Sequence, residues 1–63
     1  MTPEQKLLLT PAEREAVTLH ELGHGYRSIA RILGIATTTV RDRLDRAAAR
    51  IANHLDEERD EQI

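Results

Sequence analysis

The sequence predicts an all-α fold. Apolar residues recur at helical spacing, and no segment shows the alternation of a half-buried strand. Both prolines lie before residue 12, so no proline interrupts a helix after that point. The chain has 63 residues and one aromatic residue, Tyr26, so its core must consist of Leu, Ile, Val and Ala. These observations favour one small domain of short, closely packed helices.

The first long helix is predicted to begin at Thr10-Pro11-Ala12-Glu13. Thr10 can cap the helix, Pro11 fits its first position, and Glu13 completes a capping box. Gly23-His24-Gly25 is predicted to end this helix, because two glycines around one residue favour a turn. Residues 1–9 form either an N-terminal arm or a short helix.

A second helix is predicted from about Tyr26 to Leu33, with Gly34 as its left-handed stop. A third helix is predicted from about Thr37 to at least Ile51. The helix-turn-helix domain as a whole is predicted to span residues 10–55. Residues 56–63 form an acidic tail, either frayed helix or disordered. The apolar stripe of the third helix consists of Val40, Leu44, Ala47, Ala48, Ile51 and Leu55.

The turn between the second and third helices has the residues that a helix-turn-helix requires. Ala30 is small where two helices approach closely, and Gly34 can take a positive φ. Ile35 can plug the turn into the core, while Val40 and Leu44 hold the third helix against the others. The sequence therefore predicts a small three-helix helix-turn-helix domain with an extended C-terminal helix.

Three segments resemble known DNA-binding families. LTPAERE (Leu9 to Glu15) resembles the opening of LuxR-type DNA-binding domains, and IARILGI (Ile29 to Ile35) resembles their helix-turn core. TVRDRLDRA (Thr39 to Ala47) resembles region four of bacterial sigma factors, which reads promoter DNA. The resemblance covers about residues 9–51 and implies a helix-turn-helix that binds DNA. Neither family implies how this chain dimerises, because the third helix runs on without the separate fourth helix of LuxR-type domains.

The third helix carries the predicted DNA-reading residues. Its face opposite Val40 and Leu44 presents Thr37, Thr38, Arg41, Asp42 and Asp45. A helix fits the major groove, where its N-terminal residues reach base edges, and the fork of an arginine matches the two acceptors of guanine. The alternative is a solvated helix with ion pairs from Arg41 to Asp45 and from Asp42 to Arg46. We expect DNA reading, because groove entry explains the arginine and the threonines together.

The net charge of −2 hides a basic middle between acidic ends. Residues 26–50 carry six Arg against two Asp, a charge of +4, and the remainder carries three basic against nine acidic residues, a charge of −6. Solvated surface is the alternative for each side chain that we predict to contact phosphate. These phosphate candidates are Arg27, Ser28, Arg31, Arg43 and Arg46.

The stretch HELGH, from His20 to His24, matches the zinc-protease signature H-E-x-x-H. A catalytic zinc site needs a third protein ligand and a cleft. The only later histidine is His54. Asp42 or Asp45 could be imagined as a carboxylate ligand, but both fall on the predicted DNA-reading helix. We therefore predict no metal site, no cofactor and no enzymatic activity; adventitious metal binding and catalysis are the alternatives. On this prediction His20 is partly buried and His24 lies in a turn.

The apolar residues near the two ends exceed what one tiny core needs. Coiled-coil-like spacing near Ile51 and Leu55 predicts a homodimer, whereas the alternative folds Leu7, Leu8 and Leu9 back onto the third helix of the same chain. No apolar run is long enough to span a membrane, so we expect a cytoplasmic protein without a membrane partner.

The expected function is sequence-specific binding of double-stranded DNA by a small transcriptional regulator. Repression is the expected direction, and the sequence leaves activation open. The alternative is a sigma-like protein-interaction module that binds RNA polymerase or another regulator.

Overall fold

The computed structural model describes the backbone of residues 1–61 and the side chains of residues 1–55. Its helices are α1 (Pro3–Lys6), α2 (Pro11–Glu21), α3 (Tyr26–Leu33) and α4 (Thr37–Glu61). Within residues 1–61 there is no strand, so the all-α prediction with an extended C-terminal helix is confirmed. The side chains of the predicted acidic tail, 56–63, lie outside the described residues.

The start of α2 has the predicted capping box. The backbone N–H of Glu13 donates to Thr10 Oγ1 at 3.2 Å, and the N–H of Thr10 donates to Glu13 Oε1 at 3.0 Å. Pro11 occupies the first turn, where its missing N–H has no intrahelical acceptor to lose. The same chemistry recurs between Thr2 and Gln5 at α1, so the residues before α2 include a short helix.

Two glycines with positive φ separate the three main helices. Gly23 (φ 97°) follows Leu22, which caps the C-terminus of α2. Gly34 (φ 69°) is the left-handed cap of α3, as the sequence predicted. The N–H of Ile35 then donates to the carbonyl oxygen of Ala30 at 3.0 Å. This bond closes the turn and sets the direction in which α4 leaves.

The core consists of two apolar clusters that meet at Leu44. Ile29, Ala30 and Val40 join α3 to α4, and Leu44 packs against this cluster. Leu44 also packs against a second cluster, which is formed by Leu9, Val17 and Ala47. Ile35, Val40 and Leu44 therefore pack into the core as predicted, and Ala30 is buried in the cluster that joins α3 to α4.

The leucines before α2 divide between the core and the surface. Leu9 is 4% exposed and packs against the core of the same chain. This agrees with the alternative in which the N-terminal leucines fold back onto their own chain. Leu7 and Leu8 do not share this burial, since they are 74% and 38% exposed. Arg14 fixes this segment, because its guanidinium donates to the carbonyl oxygens of Lys6 and Leu9 at 3.1 and 3.3 Å. Lys6 in turn forms an ion pair with Glu21 at the far end of α2.

The 25 residues of α4 give the molecule its long axis. A helix of this length spans about 37 Å, against a largest molecular dimension of 44 Å. In the part of the chain that the structure describes, no helix has the length and apolarity to cross a bilayer.

Candidate nucleic-acid interface

The first half of α4 presents one exposed polar face. Val40 is fully buried and anchors the helix, while the five predicted base-reading residues are all exposed. At about 100° per residue they occupy roughly 140° of the helix surface. The structure thus brings together Thr37, Thr38, Arg41, Asp42 and Asp45 on one side of α4.

The N-terminal end of α4 is open for an anion. The carbonyl oxygen of Ala36 accepts from the N–H groups of Thr39 and Val40 at 3.0 and 3.2 Å, so Ala36 is the residue that precedes the helix. Ala has no side-chain acceptor to cap the N–H groups of the first turn. A helix end of this kind suits a phosphate oxygen, and it adjoins Thr37 and Thr38.

The two ion pairs weighed from the sequence have different outcomes. Arg46 Nε lies 3.0 Å from Asp42 Oδ2, with the two side chains 70% and 56% exposed. Among the described residues, Arg41 has no ion-pair partner within 4.0 Å, so the pair with Asp45 is not formed. An exposed i,i+4 pair contributes only about 0.3–0.5 kcal/mol. Arg46 can therefore exchange Asp42 for another anion, and the guanidinium of Arg41 is free.

The predicted phosphate residues do not form one group. Arg27 and Arg31 are exposed and lie one turn apart on α3. Ser28 is half-buried, and its Oγ lies 2.9 Å from Nδ1 of His24, so the hydroxyl is already engaged. Arg43 lies about 200° round α4 from Arg41, because the two are two positions apart in the sequence. Arg43 is half-buried on that side and does not share the exposed face.

One residue that the sequence analysis missed, Arg50, holds α4 in place. Arg50 Nε lies 2.7 Å from Glu13 Oε1, and the Glu13 side chain is only 5% exposed. The same carboxylate caps α2, so one buried group joins the start of α2 to the middle of α4. Burial raises the pKa of Glu13, but the hydrogen bond from Thr10 and the charge of Arg50 outweigh it and lower the pKa overall. The capping pattern predicted that Glu13 caps α2. No local pattern could predict its ion pair with Arg50, which lies 37 positions further along the chain.

The HELGH stretch does not have the geometry of the zinc-protease signature. In that signature both histidines lie on one helix face, but α2 ends at Glu21 and His24 lies beyond it. Nδ1 of His20 is 3.4 Å from the carbonyl oxygen of His24, and Nδ1 of His24 is 2.9 Å from Ser28 Oγ. Within the described side chains, no three His, Asp or Glu residues are grouped to hold a metal ion.

The structure corrects the predicted burial of His20, which is exposed. His20 lies on the last turn of α2, and its ring centroid is 6.1 Å from that of Tyr26. The apolar positions that pack α2 against its neighbours include Val17 and Leu19. His20 is therefore a surface residue at the junction of α2 and α3.

Comparison with known proteins adds the family. The model of sigma-70, region 4, matches residues 5–51, which contain α2, α3 and the first half of α4. No curated protein and no solved structure matched the chain. The match confirms the resemblance to sigma factor region four and extends over more than half of the chain. The chain belongs to the sigma-70 region 4 family of helix-turn-helix DNA-binding domains.

Proposed function

We propose that the protein binds double-stranded DNA in a sequence-specific manner and acts as a small transcriptional regulator. The observation that carries this proposal is the exposed polar face of α4, which lies over a packed helix-turn-helix core and on which Arg41 has no ion-pair partner among the described residues. A helix presented in this way fits the major groove, where side chains reach base edges. The family match independently supports DNA binding and a role in transcription.

In this proposal each residue of the exposed polar face of α4, here called the reading face, has a chemical role; the face consists of Thr37, Thr38, Arg41, Asp42 and Asp45. Arg41 donates two hydrogen bonds to guanine O6 and N7, which its planar fork matches. Thr37 and Thr38 donate hydrogen bonds or contact a thymine methyl group. Asp42 and Asp45 accept from the N4 amino group of cytosine.

Contacts to the DNA backbone come from residues that flank this face. Arg27 and Arg31 are exposed on α3, and Arg46 can leave Asp42 for a phosphate. Ser28, whose Oγ lies 2.9 Å from His24 Nδ1, is a weaker candidate, and Arg43 is half-buried on the side of α4 away from the base-reading residues. Such contacts set affinity and salt dependence, whereas sequence preference comes from the reading face.

The experiment that tests the proposal is selection of bound sequences from a random DNA pool, followed by affinity measurement on the selected and a scrambled duplex. We expect one enriched sequence that is bound at least about 10³-fold more tightly than the scrambled duplex, as specific binding generally requires. Enrichment of no sequence, with equal affinity for both duplexes, would contradict the proposal.

A second candidate function is a sigma-like module that binds RNA polymerase or another regulator. The match to sigma-70 region 4 favours it, because sigma factors work on RNA polymerase. This function requires no affinity of the isolated chain for DNA. Capture of purified RNA polymerase by a chain that binds no DNA would favour this second function.

A further inference from the structure

The second half of α4 leaves an apolar face uncovered. Leu55 is 48% exposed, and Ala48 and Ala52 are exposed as well. Beside Ala48 lies a groove of about 320 Å³ between α2, the start of α3 and α4. Val17, Tyr26 and Leu44 line it with apolar atoms, and the polar residues His20, Glu21 and Asp45 line it as well.

Spacing along α4 connects these exposed residues with Leu44 and Ile51, which are half-buried against the core of the same chain. Leu44, Ala48, Ile51, Ala52 and Leu55, here called the apolar seam, follow one another in steps of three and four residues, with one adjacent pair. Such steps place residues along one side of a helix and are typical of packing against a second helix. The alanines allow a second helix to approach closely, and the groove beside Ala48 has room for a branched side chain.

Charge along α4 identifies the occupant. Residues 37–50 carry four Arg against two Asp, a charge of +2, and residues 51–61 carry five acidic residues against Arg59, a charge of −4. A parallel pair of these helices sets −4 against −4. An antiparallel pair that crosses between Ile51 and Ala52 sets residues 51–61 of each helix, a charge of −4, beside residues 42–52 of the other, which carry three Arg against two Asp, a charge of +1.

We propose that the protein forms an antiparallel homodimer through the apolar seam. Leu55 of each chain enters the groove beside Ala48 of the partner chain, so the helices cross between Ile51 and Ala52. The interface is isologous, because the same surface of each chain contributes a side chain and a groove. The occupant of the groove is thus a second copy of this chain.

The dimer also fixes the placement of the two reading faces, and this part rests on the proposed function. The two-fold axis of an antiparallel pair is perpendicular to both helices. The reading face of each helix is centred about 70° round from its apolar seam, so both faces point to the same side along that axis. Each reading face is centred near Arg41, about 16 Å from the crossing, which separates the two by roughly 32 Å. One turn of DNA separates successive half-sites by about 34–36 Å.

The oligomeric state tests the interface without DNA. Light scattering after size exclusion should give twice the 7.1 kDa of one chain. Leu55→Asp should give the monomer mass with an unchanged helical circular-dichroism spectrum. Leu22→Asp is the matched control, because Leu22 is 72% exposed but lies off the seam, and it should remain a dimer. A monomeric wild type, or a dimeric Leu55→Asp, would overturn the proposal.

Disulfide trapping tests the orientation, since the chain has no native cysteine. Ala52→Cys lies at the proposed crossing and should link to itself under mild oxidation. Asp45→Cys should not, because its two copies are about 20 Å apart in the antiparallel register. Equal self-linking of both variants would mean a parallel pair and would refute the orientation.

The DNA consequence is tested with duplexes that carry two selected half-sites. We expect tighter binding when they are one helical turn apart than when they are one and a half turns apart. Equal affinity for the two spacings, with an intact dimer, would contradict the proposed arrangement. Absence of any DNA binding by an intact dimer would overturn the proposed function and leave the interface standing.

Discussion

The ion pair between Glu13 and Arg50 should be the most consequential polar contact in the fold. The Glu13 side chain is 5% exposed and accepts hydrogen bonds from the Thr10 N–H and from Arg50 Nε at 3.0 and 2.7 Å. Arg50→Ala leaves this carboxylate buried with the hydrogen bond from the Thr10 N–H but without its cationic partner. Breaking a buried pair from one side costs about 3–5 kcal/mol. Because Arg50 is itself 50% exposed, water replaces part of the lost interaction, and we expect a cost of about 1–2 kcal/mol.

This loss is large for a domain of this size. At about 0.05–0.15 kcal/mol per residue, the whole free energy of unfolding is roughly 3–9 kcal/mol. A loss of 1–2 kcal/mol should lower Tm by about 4–16 °C. Thermal and urea unfolding followed by circular dichroism would measure it. The matched control is Arg46→Ala, which removes an exposed pair with Asp42 and should cost no more than about 0.5 kcal/mol.

Equal melting curves for Arg50→Ala and Arg46→Ala would refute the reasoning. A double-mutant cycle with Glu13→Gln isolates the charge interaction, since the amide oxygen of Gln can still cap α2. The coupling energy between positions 13 and 50 should be clearly favourable. A value near zero would show that Arg50 acts through packing of its stem alone.

The remaining predictions concern pH, the turn and the end of α4. The pKa of Glu13 is lower in the folded chain than its ordinary value of 4.5, so its stabilising contribution should be full above pH 4.5 and be lost as pH falls through the folded value; in Glu13→Gln, urea titrations between pH 3 and 6 should lack this component, and an unchanged pH dependence would contradict it. Gly34→Val should cost about 1–3 kcal/mol, because φ is 69° and β-branched residues strongly disfavour that region; a melting curve equal to that of wild type would place the turn elsewhere. Removal of residues 56–63 deletes the acidic side chains of the proposed dimer and should shift the measured mass toward that of the monomer. The difference in mass from the full-length chain should be largest at low salt, where electrostatic attraction is least screened. An unchanged dimer would argue against charge as the basis of the antiparallel orientation.

Much of the architecture could be predicted because its signals are local. Thr10, Pro11 and Glu13 lie within four positions, and a capping box needs nothing else. Gly34 after an apolar stripe predicts a left-handed cap by the same logic, since only glycine takes that conformation without strain. The five exposed residues on the face of α4 followed from helical periodicity once Val40 was assigned to the core.

Contacts between distant segments could not be predicted in the same way. The sequence does not show which acidic residue Arg50 meets, because the choice depends on how α2 crosses α4. It also does not distinguish buried Leu9 from exposed Leu7, since both precede α2 and only the path of α1 separates them. The prediction that His20 is partly buried was wrong for a related reason. Val17 and Leu19 pack α2 against the core, whereas the last turn of α2 faces solvent.

The measurement that tests the central proposal most directly is the affinity of Arg41→Ala for the selected duplex and for a set of duplexes changed at single base pairs. We expect a loss of about 1–3 kcal/mol on the selected duplex and relaxed preference at one guanine. Arg46→Ala, the matched control, should weaken all duplexes alike and lower the slope of log affinity against log salt by about one unit. Equal losses for Arg41→Ala on the selected and the scrambled duplex would contradict base reading by α4.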